Sequence, residues 1–323
     1  MSQRLELEVA RQFDGVGTVN LSLALARDGR LLCAGESTTI DIFSSTSGKR
    51  VGTLTGHGQN VNAIAVAPDG RTALSGDGGG AIRQWDLSSN TCAIELTGHT
   101  GRVAAISFDA QGGVAVSASW DGSAIVWDVR SGKRRSRFRE HTDKVAAVDV
   151  SSDGKQVFST SFDGTIRSWD AATGGEAGMV DLSGHTGKLG SLAATRDRET
   201  VIAGGVSGDL WIWKPSDGDV TRIHDAHSGG VSDLAFFPGD RWFVSTGYDK
   251  ALLIWDLETT TVIGQAGMEG GTSIPGLAIS MPVAVSPDGR MLVCGRSGRI
   301  AVIRVPDGSG RTARAWWRKL FRR

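Results

Sequence analysis

Short hydrophobic runs separated by turn sequences fill the chain between residues 16 and 306. The runs VAAISF (103–108) and VAVSAS (114–119) have the length of β-strands and are too short for helices. Asp-Gly pairs such as Asp28-Gly29 and Asp69-Gly70 stand between the runs. These pairs favour tight hairpins, because glycine adopts positive φ without steric strain. No helical periodicity interrupts the pattern, so we predict an all-β fold of short antiparallel strands.

The pattern repeats with a period close to 42 residues. Five of the six histidines mark it, at steps of 42, 42, 44 and 42: His57, His99, His141, His185 and His227. The runs after His99 have close copies, VAAVDV (145–150) and VFSTS (157–161), after His141. A period of this length is the signature of a repeat architecture, and each repeat contains short strand-like runs split by tight turns. We therefore predict one four-stranded antiparallel sheet per repeat.

Two dipeptides recur in phase with the histidines. Gly-His pairs are found at Gly56-His57, Gly98-His99 and Gly184-His185. Trp-Asp pairs are found at Trp85-Asp86, Trp127-Asp128, Trp169-Asp170 and Trp255-Asp256. In these pairs and their spacing, residues 4–307 resemble the WD-repeat β-propeller family. The resemblance implies a closed ring of four-stranded blades.

The number of repeats predicts a seven-bladed β-propeller of four-stranded antiparallel blades. Five blades begin at the histidines, one precedes them with Phe43 at the tryptophan position, and one follows at residues 283–305. The last blade is short of one strand, and residues 4–9 (RLELEV) alternate apolar and polar as a half-buried strand does. We expect residues 1–12 to supply that strand and close the ring, residues 13–307 to form the propeller, and residues 308–323 to form a tail.

The resemblance also assigns a structural role to repeated Ser, His, Asp and Trp residues. In WD-repeat propellers these side chains form a buried hydrogen-bonded tetrad, and three blades of this chain contain all four. The predicted tetrads are His99/Ser117/Asp121/Trp127, His141/Ser159/Asp163/Trp169 and His227/Ser245/Asp249/Trp255. In the blade of His57, Gly79 stands where the aspartate is expected. In the blade of His185, Ala203 and Ser207 replace the serine and the aspartate.

A Ser-His-Asp set is also the composition of a hydrolase triad. Three copies in one register favour the structural role, and no phosphate-binding loop or metal-ligand spacing accompanies them. The three cysteines, Cys33, Cys92 and Cys294, are widely spaced. We therefore predict no catalytic residue, no metal, no cofactor and no small-molecule substrate. An enzyme with a site at the channel mouth is the less favoured alternative.

Propellers of this family bind partners through one face of the disc, near the central channel. The contact positions that the resemblance carries over hold three cations and three aromatic residues: Arg102, Lys144, Lys188, Trp120, Phe162 and Tyr248. A looser alignment puts apolar residues at the equivalent places of the first and last blades: Val19, Leu21, Ile279 and Met281. We predict that this face binds a peptide with acidic or phosphorylated residues beside bulky apolar ones. The alternative is that the aromatic rings pack onto neighbouring blades and the lysines are solvated.

Charge is balanced overall but unevenly distributed. The chain has 35 Lys and Arg and 35 Asp and Glu, yet residues 309–323 contain six cations and no acid. The remainder is acidic, which argues against nucleic acid as a partner of the propeller. No apolar run is long enough to span a membrane, and the first residues lack the features of a signal peptide. We expect a cytoplasmic location.

The basic tail has the pattern of an amphipathic helix. Its apolar residues share one helical face and its arginines lie off that face: Ala313, Trp316, Trp317, Leu320 and Phe321, with Arg314 and Arg318. Such a helix is typical of binding to an anionic membrane surface or to a groove in a partner subunit, and a disordered tail is the third alternative. Residues 264–282 also depart from the repeat, as an interaction site or as a plain insertion.

These patterns predict a non-catalytic WD-repeat scaffold that mediates protein–protein interactions as a subunit or adaptor of a larger complex. A regulator recruited to the inner membrane surface through the basic tail is the alternative.

Overall fold

The structure is a computed structural model that describes residues 7–14, 20–267, 281–296 and 299–305. Within these ranges the strands form seven four-stranded antiparallel sheets, which confirms the predicted propeller. The first strand, β1 (Glu8–Asp14), belongs to the last blade. In the other six blades the four strands are consecutive in the chain, because short hairpin turns bring each strand back beside the one before it.

The next twelve strands form blades 1 to 3. Blade 1 contains β2 (Asn20–Leu25), β3 (Arg30–Gly35), β4 (Ile40–Ser44) and β5 (Arg50–Leu54). Blade 2 contains β6 (Val61–Val66), β7 (Thr72–Asp77), β8 (Ile82–Asp86) and β9 (Thr91–Leu96). Blade 3 contains β10 (Val103–Phe108), β11 (Val114–Ser119), β12 (Ala124–Asp128) and β13 (Lys133–Phe138).

The remaining strands form blades 4 to 7. Blade 4 contains β14 (Val145–Val150), β15 (Gln156–Ser161), β16 (Thr165–Asp170) and β17 (Glu176–Asp181). Blade 5 contains β18 (Leu189–Ala194), β19 (Val201–Gly205), β20 (Leu210–Trp213) and β21 (Val220–Ile223). Blade 6 contains β22 (Val231–Phe236), β23 (Trp242–Gly247), β24 (Ala251–Asp256) and β25 (Thr261–Gly267). Blade 7 contains β26 (Val283–Val285), β27 (Met291–Arg296) and β28 (Arg299–Arg304), and β1 completes it.

The inner strands close the ring. The first strand of each blade lies against the first strands of the two neighbouring blades, and β26 contacts both β22 and β2. In blade 7, β1 pairs with β28 from Glu8 opposite Arg304 to Asp14 opposite Arg299. The predicted closure by an N-terminal strand is therefore confirmed.

The closing strand lies later in the chain than the sequence pattern indicated. Among the described residues it spans Glu8–Asp14, so it includes residues 8 and 9 of the predicted 4–9 and passes the expected boundary at residue 12; residues 1–6 lie outside the described ranges. The reason is register, since β1 pairs along the whole of β28. An alternating pattern marks a half-buried strand but does not specify which of its residues meet the partner strand.

Hydrophobic side chains fill the space between adjacent blades. Between blades 2 and 3, Leu74 and Leu96 pack with Ile125 and Trp127. Each of these four side chains is at most 1% exposed, and burying a side chain of this kind contributes about 1.5–3 kcal/mol. Because both faces of a blade are apolar, each blade depends on its two neighbours for stability.

One helical turn, α1 (Ser183–Thr186), departs from the predicted all-β pattern. It carries His185 and lies before the inner strand of blade 5. A single turn is too short to leave a helical period in the sequence.

Candidate functional site

A buried chain of hydrogen bonds links the strands of blade 3. His99 Nδ1 lies 3.1 Å from Asp121 Oδ2, and His99 Nε2 lies 2.8 Å from Ser117 Oγ. Trp127 Nε1 donates to the same Ser117 Oγ at 2.8 Å. An indole only donates and a carboxylate only accepts, so Ser117 must donate to His99 Nε2 and His99 Nδ1 must donate to Asp121. The structure thus brings together all four residues of this predicted tetrad.

Blade 6 repeats the arrangement of blade 3. His227 Nδ1 lies 3.0 Å from Asp249 Oδ1, and His227 Nε2 lies 2.8 Å from Ser245 Oγ. Trp255 Nε1 donates to Ser245 Oγ at 2.8 Å. The same direction of donation therefore applies in this blade.

The aspartate of blade 3 is held in its ionised form. Burial raises the pKa of Asp121, but hydrogen bonds from His99, Ser123 and the backbone of Thr100 outweigh burial and keep this pKa well below its usual range. Ser123 follows the aspartate by two residues, in an Asp-Gly-Ser sequence that the tetrad pattern did not include. A hydroxyl at that position is the sequence signal for this additional member.

Blade 4 contains only three connected members of its predicted tetrad. His141 Nδ1 lies 2.9 Å from Asp163 Oδ2, and His141 Nε2 lies 2.8 Å from Ser159 Oγ. Trp169 Nε1 is buried without a hydrogen-bond partner. Its ring stacks on Phe138 instead, with centroids 5.1 Å apart and 9° between the planes. The prediction that Trp169 completes this tetrad is therefore wrong.

A pair of facing residues in blade 3, one small and one large, explains the position of Trp169. Phe138 faces Ala124 across β12 and β13, whereas the corresponding pair in blade 2 is Leu96 and Ile82. The small Ala124 leaves room for a phenyl ring, and that ring covers the Trp169 indole. Aromatic stacking contributes about 0.5–1.5 kcal/mol beyond area burial, which offsets part of the lost hydrogen bond.

The incomplete tetrad makes a testable comparison between Ser117 and Ser159. Ser117→Ala leaves two buried donor or acceptor groups without a partner, on His99 and Trp127, whereas Ser159→Ala leaves one, on His141. Each such group costs about 1–3 kcal/mol, so Ser117→Ala should lower the free energy of unfolding by about that much more than Ser159→Ala. Urea unfolding of both variants measures the difference, and equal losses would contradict the description of Trp169.

Blade 2 has a complete network that the sequence pattern missed. His57 Nδ1 lies 3.0 Å from Asp77 Oδ2, and His57 Nε2 lies 2.6 Å from Ser75 Oγ. Trp85 Nε1 donates to Ser75 Oγ at 2.7 Å. The expectation that Gly79 breaks this tetrad is wrong, because the carboxylate comes from the last residue of β7 instead of from the following loop. An acid two residues after the serine is the signal that could have found it.

Blade 5 lacks the network, as its sequence indicates. Ala203 offers no hydroxyl, and the exposed His185 ring lies 5.8 Å from the Trp211 ring. Ser207 Oγ lies 3.1 Å from Thr186 Oγ1 and takes no part in a histidine network. This blade is held by hydrophobic packing and strand pairing.

The buried networks are built for structure and not for nucleophilic attack. The serines that bond to the histidines are 0% exposed: Ser75, Ser117, Ser159 and Ser245. A catalytic serine needs access to the substrate and a site for the oxyanion. Burial also raises the pKa of the Cys294 thiol to about 12 and raises the pKa of Cys33, so both thiols stay protonated.

Cations and aromatic rings alternate on one face of blades 3 to 5. We call this the upper face; it is the face at which the inner strands begin. Five of the predicted contact residues form a cation–aromatic ladder in the order Arg102, Trp120, Lys144, Phe162, Lys188. Arg102 Cζ lies 4.6 Å and Lys144 Nζ 4.2 Å from the centre of the Trp120 ring. Lys144 Nζ lies 5.9 Å and Lys188 Nζ 5.2 Å from the centre of the Phe162 ring.

A repeated backbone hydrogen bond positions the ladder. Trp120 N donates to Arg102 O at 2.9 Å, and Phe162 N donates to Lys144 O at 3.0 Å. In each pair the aromatic residue follows the second strand of the blade and the cation precedes the inner strand. Each blade therefore presents one ring beside its own cation, and each ring also reaches the cation of the next blade.

Tyr248 continues the ladder through an apolar stretch. Val206 N donates to Lys188 O at 3.1 Å, and Tyr248 N donates to Gly230 O at 2.9 Å. A Cβ at Gly230 would lie 3.1 Å from Tyr248 Cδ2 and 3.2 Å from Val206 Cα. Val206 is 59% and Tyr248 40% exposed. The upper face thus carries one arc, cationic at Arg102 and apolar at Tyr248.

The predicted apolar arc of the first and last blades does not extend to Met281. This side chain is 1% exposed, because its segment is tied to blade 6 by a hydrogen bond from Met281 N to Ser232 Oγ at 2.7 Å. Leu21 lies in β2. Val19 and Ile279 lie outside the described residues.

An axial channel of about 1070 Å³ opens beside the ladder. Trp120, Phe162, Lys188 and Tyr248 line it, so a ligand on the upper face would contact the channel mouth. Over residues 7–14, 20–267, 281–296 and 299–305, no three His, Cys, Asp or Glu side chains are grouped to hold a metal ion. Over the same residues, no helix has the length and hydropathy of a membrane-spanning helix.

Comparison with known proteins identifies the repeat. The family model described as WD domain, G-beta repeat matches residues 48–86, 90–128, 132–170 and 218–256. Each match ends at the Trp-Asp pair of a blade. The chain is a WD-repeat protein. Its blades 2, 3 and 6 carry the complete tetrads, and those of blades 2 and 3 adjoin each other.

Several curated relatives are similar to part of this WD-repeat chain. It is 39% identical to Polyadenylation factor subunit 2 of Aspergillus fumigatus over 80 residues, which is 24% of this chain and 16% of that protein. It is 27% identical to human Pre-mRNA-processing factor 17 over 99 residues, 30% of this chain and 16% of that protein. It is 29% identical to Small ribosomal subunit protein RACK1 of Brassica napus over 82 residues, 25% of this chain and 24% of that protein. The matched stretch thus spans less than a quarter of each relative.

Two predictions for the WD-repeat chain lie outside the described residues. One is the docking tail with Arg314, Trp316, Trp317, Arg318, Leu320 and Phe321. The other is the loop at residues 264–282, of which 268–280 are outside. Both stay predictions, and none of the similarities favours the membrane-recruited alternative.

Proposed function

We propose that this WD-repeat protein is a non-catalytic interaction platform, a subunit or adaptor of a larger protein complex, that binds an acidic segment of its partner along the upper-face arc. The names of two similar proteins contain the word subunit, which supports the general role. The chemistry of the arc supports the choice of ligand.

The observation that carries the proposal is that the ladder cations have no anionic partner. Among the described residues, Arg102, Lys144 and Lys188 form no ion pair, and Arg102 Nε is buried without a hydrogen-bond acceptor. Burial lowers the pKa of Arg102, yet a guanidinium stays charged in proteins. A partly desolvated charge that only aromatic faces stabilise destabilises the free protein. A carboxylate or phosphate of a ligand would neutralise this charge and accept its hydrogen bonds.

The apolar end of the arc determines the remainder of the ligand. Trp120, Val206 and Tyr248 are among the large hydrophobic side chains that stay exposed, at 37%, 59% and 40%. Aromatic residues and arginine are the types most enriched at binding hot spots. We therefore expect a partner segment with acidic residues over the ladder and bulky apolar residues beyond Lys188.

Replacing Trp120 and Lys144 together with alanine should abolish most partner binding. Lys144 is the cation shared by both rings of the ladder, and Trp120 is shared by two cations. Hot-spot truncations cost about 2 kcal/mol or more, so the recovered partner should fall at least about tenfold. Affinity purification with quantitative mass spectrometry measures this for the wild type and the double variant.

The matched control is Met179→Ala with Lys214→Ala, which removes one exposed apolar side chain and one exposed cation away from the upper face. This control should recover the partner at wild-type levels. Full recovery by the Trp120/Lys144 variant would refute the ladder as the binding surface. Loss of binding in both double variants, with both still folded, would also refute it.

A further inference from the structure

Blade 3 carries a basic outer edge that the upper-face arc does not explain. Its outer strand β13 and the residues beside it contain six cations: Arg130, Lys133, Arg134, Arg135, Arg137 and Arg139. No other outer strand of the seven blades contains more than one Lys or Arg. The strand is the last in its sheet, so one of its edges is unpaired in the described chain. We call this surface the basic edge of blade 3.

Four of these cations are free to meet a partner. Arg130, Lys133, Arg134 and Arg139 are exposed and form no ion pair with any described residue. The other two have partners, since Arg135 bonds to Asp128 at 2.6 Å and Arg137 bonds to Asp121 at 3.1 Å.

The cations lie close enough to repel one another. Burial lowers the pKa of the Arg137 guanidinium, Asp121 raises it, and the like charges of Arg139 and Arg134 lower it again. Like charges gathered on one strand destabilise the free protein, and an anionic partner would relieve the repulsion.

The strand beneath these cations is rigidly supported. Phe138 stacks on Trp169 of blade 4 at 5.1 Å, and Ser136 Oγ donates to Ala171 O at 2.7 Å. Arg137 Nη1 also donates to Gly98 O at 3.2 Å. Phe138 and Ser136 thus tie β13 to blade 4, so the exposed cations of this strand stand on a rigid backbone. A preorganised surface loses little entropy when a ligand binds.

We propose that the basic edge of blade 3 binds an acidic, extended segment of a partner protein. The site runs along β13 and adjoins the upper-face arc at its Arg139 end, where Arg137 and Arg139 line one pocket with Trp120 and Lys144. A polypeptide fits better than nucleic acid for two reasons. The free edge of β13 offers backbone donors and acceptors, and an extended peptide can use both while it places alternate carboxylates against the cations. The charge outside residues 309–323 is 29 basic against 35 acidic residues, which disfavours a long polyanion but not a short segment that is confined to one blade.

Binding of a short peptide of alternating Glu and Thr, labelled with fluorescein, tests this proposal on the full chain. The edge variant replaces the four free cations with serine: Arg130→Ser, Lys133→Ser, Arg134→Ser and Arg139→Ser. The control variant makes the same charge change at exposed cations that lie elsewhere and that also form no ion pair with a described residue: Arg27→Ser, Lys49→Ser, Lys214→Ser and Lys250→Ser. A peptide with Gln in place of Glu and an oligouridylate of similar length are the competing probes.

We expect anisotropy to show binding of the acidic peptide that weakens with added salt. The edge variant should lose about tenfold or more in affinity, and the control variant should stay within about twofold of the wild type. Hydrogen exchange should slow in residues 133–138 when the acidic peptide is added. The peptide with Gln should not bind. The Trp120/Lys144 variant should keep most of its affinity for the acidic peptide, because Arg130, Lys133 and Arg134 lie at the start of β13, away from the Arg139 end that adjoins the arc.

Several outcomes would overturn the proposal. Equal losses in the edge and control variants would show that net charge alone attracts the peptide. Tighter binding of the oligouridylate than of the acidic peptide would make the surface a nucleic-acid site. No binding of either probe, together with self-association of the folded edge variant in light scattering, would show that the cations only protect an exposed strand edge.

Discussion

Asp77→Ala should destabilise the protein by about 3 kcal/mol or more, although sequence alignment places no tetrad aspartate at this position. Asp77 is 2% exposed. It accepts hydrogen bonds from His57 Nδ1 at 3.0 Å, from Gly79 N at 2.9 Å and from Ala81 N at 3.1 Å. Removing it leaves the buried His57 Nδ1 without an acceptor and takes the same acceptor from the partly buried backbone N–H groups of Gly79 and Ala81. Chemical denaturation measures the loss.

The matched control for Asp77 is Ser207→Ala in blade 5. Ser207 stands where alignment expects the tetrad aspartate of that blade, but it is exposed, and its hydroxyl bonds to Thr186 Oγ1 and to Asp209 N instead of to a histidine. Its replacement should change stability by less than about 0.5 kcal/mol, as most surface substitutions do. Similar losses for the two variants would mean that Asp77 does not hold the network as described.

Gly208→Ala should be among the most damaging single changes to the chain, at about 3 kcal/mol or more. Gly208 has φ +85°, and an added methyl group would overlap the backbone carbonyl oxygen of His227. Gly208 O also accepts the His227 N–H at 3.0 Å. The overlap would push apart blades 5 and 6 at the histidine that anchors the blade 6 tetrad.

Gly239→Ala separates this overlap from simple backbone strain. Gly239 has a similar φ, +91°, but nothing lies within 4 Å of an added Cβ. Only the left-handed conformation opposes alanine there, at a cost of about 1–2 kcal/mol. Thermal unfolding of the two variants should therefore differ clearly, and an equal shift would contradict the packing of Gly208 against His227.

Much of the fold could be predicted because every blade needs short apolar strands separated by tight turns. Five histidines in register and four Trp-Asp pairs specify where blades begin and end, so the ring and its closure could be predicted. The exact residues of the closing strand could not, because alternation does not determine register.

The errors in the tetrads arise where one residue depends on a distant one. Asp77 reaches His57 from the end of a strand. A fixed spacing from the histidine cannot identify a carboxylate that stands at a different position in the sequence. Trp169 leaves its tetrad because Phe138 of the preceding blade covers it, and Phe138 fits because Ala124 is small. Such substitutions across a blade interface become visible only when the strands are paired.

The sequence predicted which residues form the candidate site, but it did not predict the contacts between them. The family's contact positions identified Arg102, Trp120, Lys144, Phe162 and Lys188, but their spacing in the sequence does not reveal that each ring lies between two cations. Tyr248 is joined to them through Val206 and Gly230, which only the backbone geometry brings together. The basic edge of blade 3 is visible as a run of arginines, yet its exposed, unpaired state follows from the strand order of the sheet.

The most direct test of the central claim is hydrogen exchange on the complex with the partner that affinity purification recovers. If the upper-face arc is the binding surface, amides at and beside Arg102, Trp120, Lys144 and Phe162 should exchange more slowly in the complex than in the free protein. Amides on the opposite face of the disc should not change. Protection confined to that opposite face or to residues 308–323, with the arc unchanged, would contradict the account.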